Sequence, residues 1–253
     1  PLLAEVPVAL GDPAGNSAFE KVCILLRAKT GHDFSLYKKS TLNRRIERRT
    51  GIHKLAGIAD YATFLQSNPQ EVDLLFKELL IGVTQFFRDP AAWDWLQENV
   101  LPAMIRANPP GNVLRAWVAG CSSGEEAYSL AIAFREAIDR IKPKERVELQ
   151  IFATDIDPDA VARARNGLYP ASIAGDVSAE RLVRFFSEDA GRYRVSQEVR
   201  QMVVFAPHNV TMDPPFTRLD ILTCRNLLIY LGPALQKKLL PLFHYSLKPG
   251  GIL

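Results

Sequence analysis

Four short stretches carry side chains able to hold a ligand, and each follows an apolar run. The first reads A-G-C-S-S-G-E-E and begins at Ala119. Gly120 and Gly124, with Ser122 and Ser123 between them, let backbone come close to a bound molecule where a larger side chain would block it. The spacing is not G-x-G-x-x-G, and Glu125 and Glu126 place negative charge in the first helical turn, where a pyrophosphate needs positive potential. An acidic first turn suits a cation. S-adenosylmethionine carries a sulfonium and an amino group, and Glu125 can accept from the latter; equally, the two acids can serve the helix dipole alone. The second stretch, A-T-D-I-D-P, ends an apolar run with Asp155, whose carboxylate can accept from two adjacent ribose hydroxyls. Asp157 before Pro158 reads as an N-cap. The turn and the acid together also fit a nicotinamide cofactor. In the last two stretches, P-H-N-V and T-C-R-N-L-L-I-Y, Asn209 and Asn226 offer the donor and acceptor that adenine needs, or simply close turns.

These residues need a scaffold that brings strand ends together. Beyond residue 112 the periodicity alternates between strand and helix: strands over Leu114 to Ala119, Val147 to Thr154, Val203 to Val210 and Leu219 to Thr223, with helices over Glu125 to Asp139, Asp159 to Arg165 and Pro233 to Leu247. That alternation predicts an α/β, doubly wound parallel sheet binding ligand at the carboxyl ends of its strands. An insertion over 167–201 reads as a helix, R-L-V-R-F-F, followed by an antiparallel hairpin pairing Tyr193 to Ser196 with Val199 to Val203. Gly250 and Gly251 read as a turn, with Ile252 and Leu253 opening a strand, so the C-terminal strands of the sheet are expected to be missing.

Ahead of this lies a helical pattern, with Phe19, Val22, Leu25 and Leu26 on one face and Val72, Leu75, Phe76 and Leu79 on another. The division expected is a linker over 1–17, a helical domain over 18–90, a connecting helix and linker over 91–111, and the sheet domain over 112–253. The chain of 253 residues is 47% hydrophobic and 23% charged, enough apolar content for a buried core. No apolar run reaches membrane-span length and no signal-peptide core follows a basic start, so a cytoplasmic protein is expected. Cys23, Cys121 and Cys224 are odd in number and far apart, against a disulfide framework or a metal site. The net charge of +3 does not point to nucleic acid. The basic charge is local, with seven Lys or Arg from Lys38 to Lys54 against Glu47.

T-Q-F-F-R-D (Thr84 to Asp89), G-E-E-A-Y-S (Gly124 to Ser129), A-T-D-I-D (Ala153 to Asp157), H-N-V (His208 to Val210) and C-R-N-L-L-I-Y (Cys224 to Tyr230) occur in an order and spacing that strongly resemble the chemotaxis receptor glutamate methyltransferase family, CheR. The resemblance runs from about Phe19 to the end. It implies an N-terminal all-α domain, a Rossmann-like S-adenosylmethionine-dependent methyltransferase domain and a small inserted antiparallel β subdomain. It also implies cofactor contacts from Thr84, Arg88, Glu125, Asp155, Asn209, Val210, Asn226 and Leu227, with S-adenosylhomocysteine as product. Family members often carry asparagine where this chain has Gly82. A guanidinium matches the cofactor's carboxylate in a bidentate pair, which suits Arg88; without the motif, Arg88 would be read as pairing with Asp89.

On this reading the target is a glutamate on a chemoreceptor's cytoplasmic helix. The nucleophile is already ionised, so Arg88 and Tyr230 position groups and do not titrate. Arg45, Arg48 and Arg49 are expected to share one face of a helix from Thr41 to Thr50, with Arg44 beside them and Leu42 and Ile46 turned to the core, giving a surface that docks acidic receptor helices. No nucleic acid or membrane insertion is expected, and the chain is read as a monomer. In this family the β subdomain can tether a receptor's terminal pentapeptide; the short hairpin, with no glycine-rich loop between its expected strands, argues against that here. Two rivals are kept. One is a nucleic-acid methyltransferase, suggested by Asp213, Pro214, Pro215 and Phe216, although that tetrapeptide precedes its strand and reads as a proline turn. The other is a noncatalytic S-adenosylmethionine-binding sensor domain.

Overall fold

Apolar residues recurring at helical spacing build four helices among the described residues of the first part of the chain: α1 (Pro13–Thr30), α2 (Lys39–Ile52), α3 (Ile58–Ser67) and α4 (Pro69–Leu79). The computed structural model describes residues 13–80 and 82–253. The expected linker over 1–17 therefore lies partly outside the described residues, and its portion from Pro13 onward is helical. Phe19, Val22, Leu26, Leu42, Ile46, Tyr61, Leu65, Val72 and Leu75 meet in one apolar core. Residues Tyr230–Leu235 belong to this same compact unit, and the Tyr230 carbonyl accepts from the Lys38 amide at 3.0 Å.

The second unit begins at Gly82, ahead of both the expected end of the helical domain at 90 and the expected start of the sheet domain at 112. Phe86, Phe87 and Trp93 explain the difference, because all three are buried in the core of the sheet unit. The helix predicted to lead out of the first domain is continuous: α5 (Pro90–Trp95), a π-helical turn over Leu96–Val100, and α6 (Leu101–Ala107). Then follow β1 (Val113–Ala119), α7 (Glu125–Ile141), β2 (Glu148–Asp155) and α8 (Pro158–Asn166). After the inserted subdomain come β6 (Val203–Pro207), β7 (Leu219–Thr223), α11 (Pro233–Ser246) and β8 (Leu247–Ile252).

The five strands pair in parallel in the order β6-β2-β1-β7-β8. The chain winds outward from β1 through β2 to β6, then crosses to β7 and β8 on the other side. The carboxyl ends of β1 and β7 thus flank a topological switch point, where open α/β sheets bind ligands. Burial of Ala116, Trp117, Val118, Ile151, Ala153, Ile221 and Leu222 explains their continuous apolar runs. The terminal segment departs from expectation: Lys248 to Gly251 lie inside β8, which pairs with β7 from Leu247 to Ile252 with a register shift. The glycines expected to form a turn are absorbed by this irregularity.

The insertion holds β3 (Leu168–Pro170), a 3-10 turn over Ala171–Gly175, α9 (Ala179–Phe185), β4 (Phe186–Asp189), β5 (Arg192–Val195) and the short α10 (Gln197–Arg200). Its strands form an antiparallel sheet in the order β3-β5-β4. The hairpin lies earlier in the chain than predicted. The real one joins β4 to β5 through Ala190 and Gly191, both with positive φ, as a tight two-residue turn requires. Val199 is buried on α10, and Val203 belongs to the main sheet.

Candidate functional site

The five sequence stretches converge at the carboxyl edge of the sheet, all within the second unit except for Tyr230. The turn after β1 is pinned to β2, since the amides of Gly120 and Cys121 both donate to the Thr154 carbonyl, at 2.8 and 2.9 Å. Gly120 has φ +77, and a Cβ there would lie 3.1 Å from Leu227 Cδ2; Gly124 has φ +97, and a Cβ would lie 2.9 Å from that of Ala164. These glycines are thus demanded by backbone conformation and by packing on the turn's own neighbours, beyond the access to ligand expected of them. Ser122 shares the left-handed conformation, with φ 48. Its amide donates to Asp155 Oδ2 at 2.7 Å, while Asp155 Oδ1 accepts from the Asp157 amide at 2.9 Å. Asp155 therefore braces the turn while standing at the end of β2. Asp157 caps α8 by accepting from the Asp159 amide, with Pro158 in the first turn.

The other stretches attach to this centre. The His208 amide donates to the Asp155 carbonyl at 2.9 Å, placing Asn209 and Val210 beside it. Asn209 is buried and its Oδ1 accepts from the Thr211 amide and hydroxyl, so the side chain does close a turn. Asp213 completes that turn by accepting from the Asn209 amide, and Phe216 packs near-parallel to Phe152 at 4.8 Å. The D-P-P-F tetrapeptide is engaged in local structure. After β7, Asn226 holds a left-handed φ of 58 and turns the chain so that Leu227 lies against Gly120. On the remaining side, Ser122 Oγ lies 3.4 Å from the Gly82 carbonyl, and a Cβ at Gly82 would sit 3.1 Å from that hydroxyl. The serine occupies the space into which a larger residue at 82 would begin. Thr84, half-buried, follows.

The charges in this centre are unevenly satisfied. Arg88 makes no ion pair among the described residues, and its guanidinium donates only to the Val83 carbonyl at 3.3 Å. Asp89, the partner that Arg88 would be given without its motif, is taken by Arg225 at 2.6 Å, and Arg225 also donates to the Arg88 carbonyl at 2.8 Å. Burial raises the carboxyl pKa of Asp155, against the amide hydrogen bonds it accepts. Burial likewise raises that of Glu125, whose two oxygens accept from Ser123 Oγ at 3.0 and 2.8 Å, and that of Glu126. Glu126 Oε1 faces Thr223, and neither atom finds a hydrogen bond of good geometry. Carboxylates desolvated without an ion pair among the described residues, near a guanidinium that also makes none, are complementary to a ligand that carries both charges.

Family comparison decides what this arrangement belongs to. The model described as "CheR methyltransferase, SAM binding domain" matches residues 82–253, and "CheR methyltransferase, all-alpha domain" matches residues 17–80. The chain belongs to the CheR methyltransferase family. Its S-adenosylmethionine-binding part is the sheet unit and its all-α part the helical unit. An uncharacterized 104.1 kDa protein of Rhodobacter capsulatus is 42% identical over 87% of this chain, which spans 23% of that protein's length. Chemotaxis protein methyltransferase 2 of Vibrio cholerae is 31% identical over 89% of this chain and 79% of its own length. Chemotaxis protein methyltransferase 2 of Pseudomonas aeruginosa is 32% identical over 92% of this chain and 83% of its own.

Within this CheR chain the structure gathers Thr84, Arg88, Glu125, Asp155, Asn209, Val210, Asn226 and Leu227 in one unit and places Tyr230 with the other. The arginines of α2 do not share an outward face. Arg49 is three residues after Ile46 and seven after Leu42, which puts it on the apolar stripe. It forks onto Glu71, with Nε 2.7 Å from Oε1. Arg45 donates to the Glu78 carbonyl at 2.7 Å. Arg44 and Arg48 are exposed, Arg48 reaching Glu78 at 3.1 Å. Arg225, the hydrogen bonds from Ser123 Oγ to Glu125 and the buried Glu126 Oε1 escaped sequence reasoning. Arg225 stands next to Asn226 in its motif, yet no spacing signals that it reaches back to the residues around Arg88.

Proposed function

We propose that this chain transfers the methyl group of S-adenosylmethionine to glutamate side chains on the cytoplasmic helices of chemoreceptors, working in the cytoplasm as a monomer. One observation carries the reading. Asp155 at the end of β2 and Glu125 and Glu126 at the start of α7 are desolvated without an ion pair among the described residues, as is the Arg88 guanidinium near them. That pattern fits a nucleoside with a cationic centre and a zwitterionic tail. The named relatives among chemotaxis methyltransferases supply the substrate class.

Each residue then has a task. Arg88 takes the tail carboxylate through its planar fork, Glu125 accepts from the amino group, and Asp155 accepts from the ribose hydroxyls. Thr84, Asn209 with Val210, and Asn226 with Leu227 enclose the remainder. When bound, S-adenosylmethionine supplies an activated methyl group. The incoming glutamate is ionised at neutral pH and needs no general base. What the chain contributes is alignment and exclusion of water from the ionic nucleophile.

The test is methyl transfer from radiolabelled S-adenosylmethionine to a receptor cytoplasmic fragment, scored as base-labile methanol. Base-labile label on receptor glutamates is the expected outcome. Label appearing in RNA and not in receptor overturns it in favour of a nucleic-acid enzyme. S-adenosylhomocysteine binding with no transfer to any receptor overturns it in favour of a sensor.

A further inference from the structure

The segment that carries Arg88 has a strained backbone. Phe87 and Asp89 both lie in the left-handed region, at φ 48 and φ 57, which for a bulky residue such as phenylalanine persists only when its surroundings fix it. The surroundings come from three elements: the Phe87 amide donates to the buried Ser129 hydroxyl of α7 at 3.0 Å, Trp93 of α5 meets the ring edge-on at 5.6 Å, and α9 of the inserted subdomain covers the ring itself. The Arg181 guanidinium of α9 lies over the Phe87 ring, 3.9 Å from its centroid. That guanidinium is itself locked, because Nε and Nη2 fork onto Glu136 of α7 at 2.8 and 2.9 Å and Nη2 also reaches Gln97 at 3.3 Å. Gln97, buried on the π-helical turn, donates back to Glu136. On the neighbouring residue, Tyr169 of β3 and Phe186 of β4 meet the Phe86 ring edge-on, at 4.9 and 5.5 Å. The Tyr169 hydroxyl also donates to the Ser123 carbonyl at 2.6 Å. The subdomain thus touches both segments proposed to grip the cofactor.

We propose that Arg181 is a positioning residue for the cofactor's amino-acid tail: stacked on Phe87 and anchored by Glu136 and Gln97, it fixes the left-handed Phe87 and so the direction in which Arg88 points. A planar, bidentate and stackable group is required, which arginine offers and lysine does not. The inserted subdomain is then part of the cofactor site's rigid frame. This inference rests on the reading of Arg88 as the tail's partner.

Binding of two ligands by calorimetry separates the possibilities: S-adenosylhomocysteine, which has the tail, and methylthioadenosine, which lacks it. Arg181→Leu weakens S-adenosylhomocysteine about tenfold and leaves methylthioadenosine unchanged, since a residue acting through a contact network shifts affinity by roughly that much. In an Arg88→Ala background the same change has no further effect. Arg181→Lys, which keeps the charge but loses the fork and the planar stack, behaves like Arg181→Leu and decides the matter if the leucine variant does not fold. Equal weakening of both ligands, or of neither, overturns the proposal by reducing Arg181 to a structural residue. If Arg88→Ala itself leaves S-adenosylhomocysteine affinity intact, the assignment of Arg88 fails first, and the two failures are told apart.

Discussion

Both units bury carboxylates, and they treat them in opposite ways. In the helical unit, Glu71 is 4% exposed. Burial alone would raise its pKa, but Arg49 forks onto it, the Tyr61 hydroxyl donates at 2.7 Å and His53 lies at 2.9 Å, and these hydrogen bonds together hold it below the usual carboxylate range. In the sheet unit, burial prevails at Asp155, Glu125 and Glu126, and all three are held above that range. A buried acid with its cation built in serves the fold. A buried acid without one stores an unfavourable charge that a cationic ligand relieves. On the proposed function, the contrast separates the acid that holds the fold from the acids that meet the cofactor without reference to any motif.

The largest test sets the two kinds against each other. Glu71→Ala strands the Arg49 guanidinium in the helical core and is expected to cost about 3–5 kcal/mol, as breaking a buried pair does. Glu126→Gln keeps the shape and removes a charge that has no ion-pair partner among the described residues, so unfolding without ligand should shift by less than about 1 kcal/mol or move toward greater stability. Urea denaturation of both variants measures this. Equal losses would erase the distinction.

Much of this was legible in the sequence, for identifiable reasons. The strands of the sheet unit are largely buried, so their apolar runs stand out, and the polar residues closing each run fall at the carboxyl ends of the strands, where open α/β sheets bind ligands. The residues that hold the site residues in place were not legible. Arg225 on Asp89, Tyr169 on Ser123 and Arg181 on Phe87 join positions far apart in the chain. Long-range polar contacts leave no period. Arg49 shows the reverse failure, because a charge among charges reads as surface although its spacing from Leu42 and Ile46 places it inward. The hairpin was misplaced because Phe185 and Phe186 read as one helix end, whereas the chain changes from α9 to β4 between them.

Ligand binding sharpens the comparison at intermediate magnitude. Asp155→Ala and Arg88→Ala should each weaken S-adenosylhomocysteine by about 1.5–3 kcal/mol, the range for hydrogen bonds to charged groups. Glu71 variants that still fold should bind it normally. The pH dependence has opposite signs in the two units. For the raised acids, the contribution to stability is fully present below an ordinary carboxylate pKa of about 4 and is lost as pH rises through their folded values. For Glu71 the contribution is present above its ordinary value and is lost only as pH falls through the lowered one. A ligand that favours the ionised acids lowers their pKa values, so its binding releases protons and its affinity falls as pH drops through the raised values. Calorimetry in buffers of different ionisation enthalpy reads the proton release directly; proton uptake would contradict the assignment.

The smallest expected effect concerns α2, where the same logic sorts the arginines. Arg49 has its acid built in and is unavailable to a partner, whereas Arg44 and Arg48 face solvent, with 70% of the Arg48 side chain exposed. Exposed pairs contribute only about 0.2–1 kcal/mol each, so Arg44→Glu with Arg48→Glu should leave folding and S-adenosylhomocysteine binding intact. The change should appear in kcat/KM for receptor, as a drop of about five- to tenfold at low salt that shrinks as salt screens the encounter. Salt dependence matters more here than the size of the drop. A loss that persists at high ionic strength would mean that these side chains make buried contacts with the receptor, and no loss at low salt would remove α2 from the docking surface.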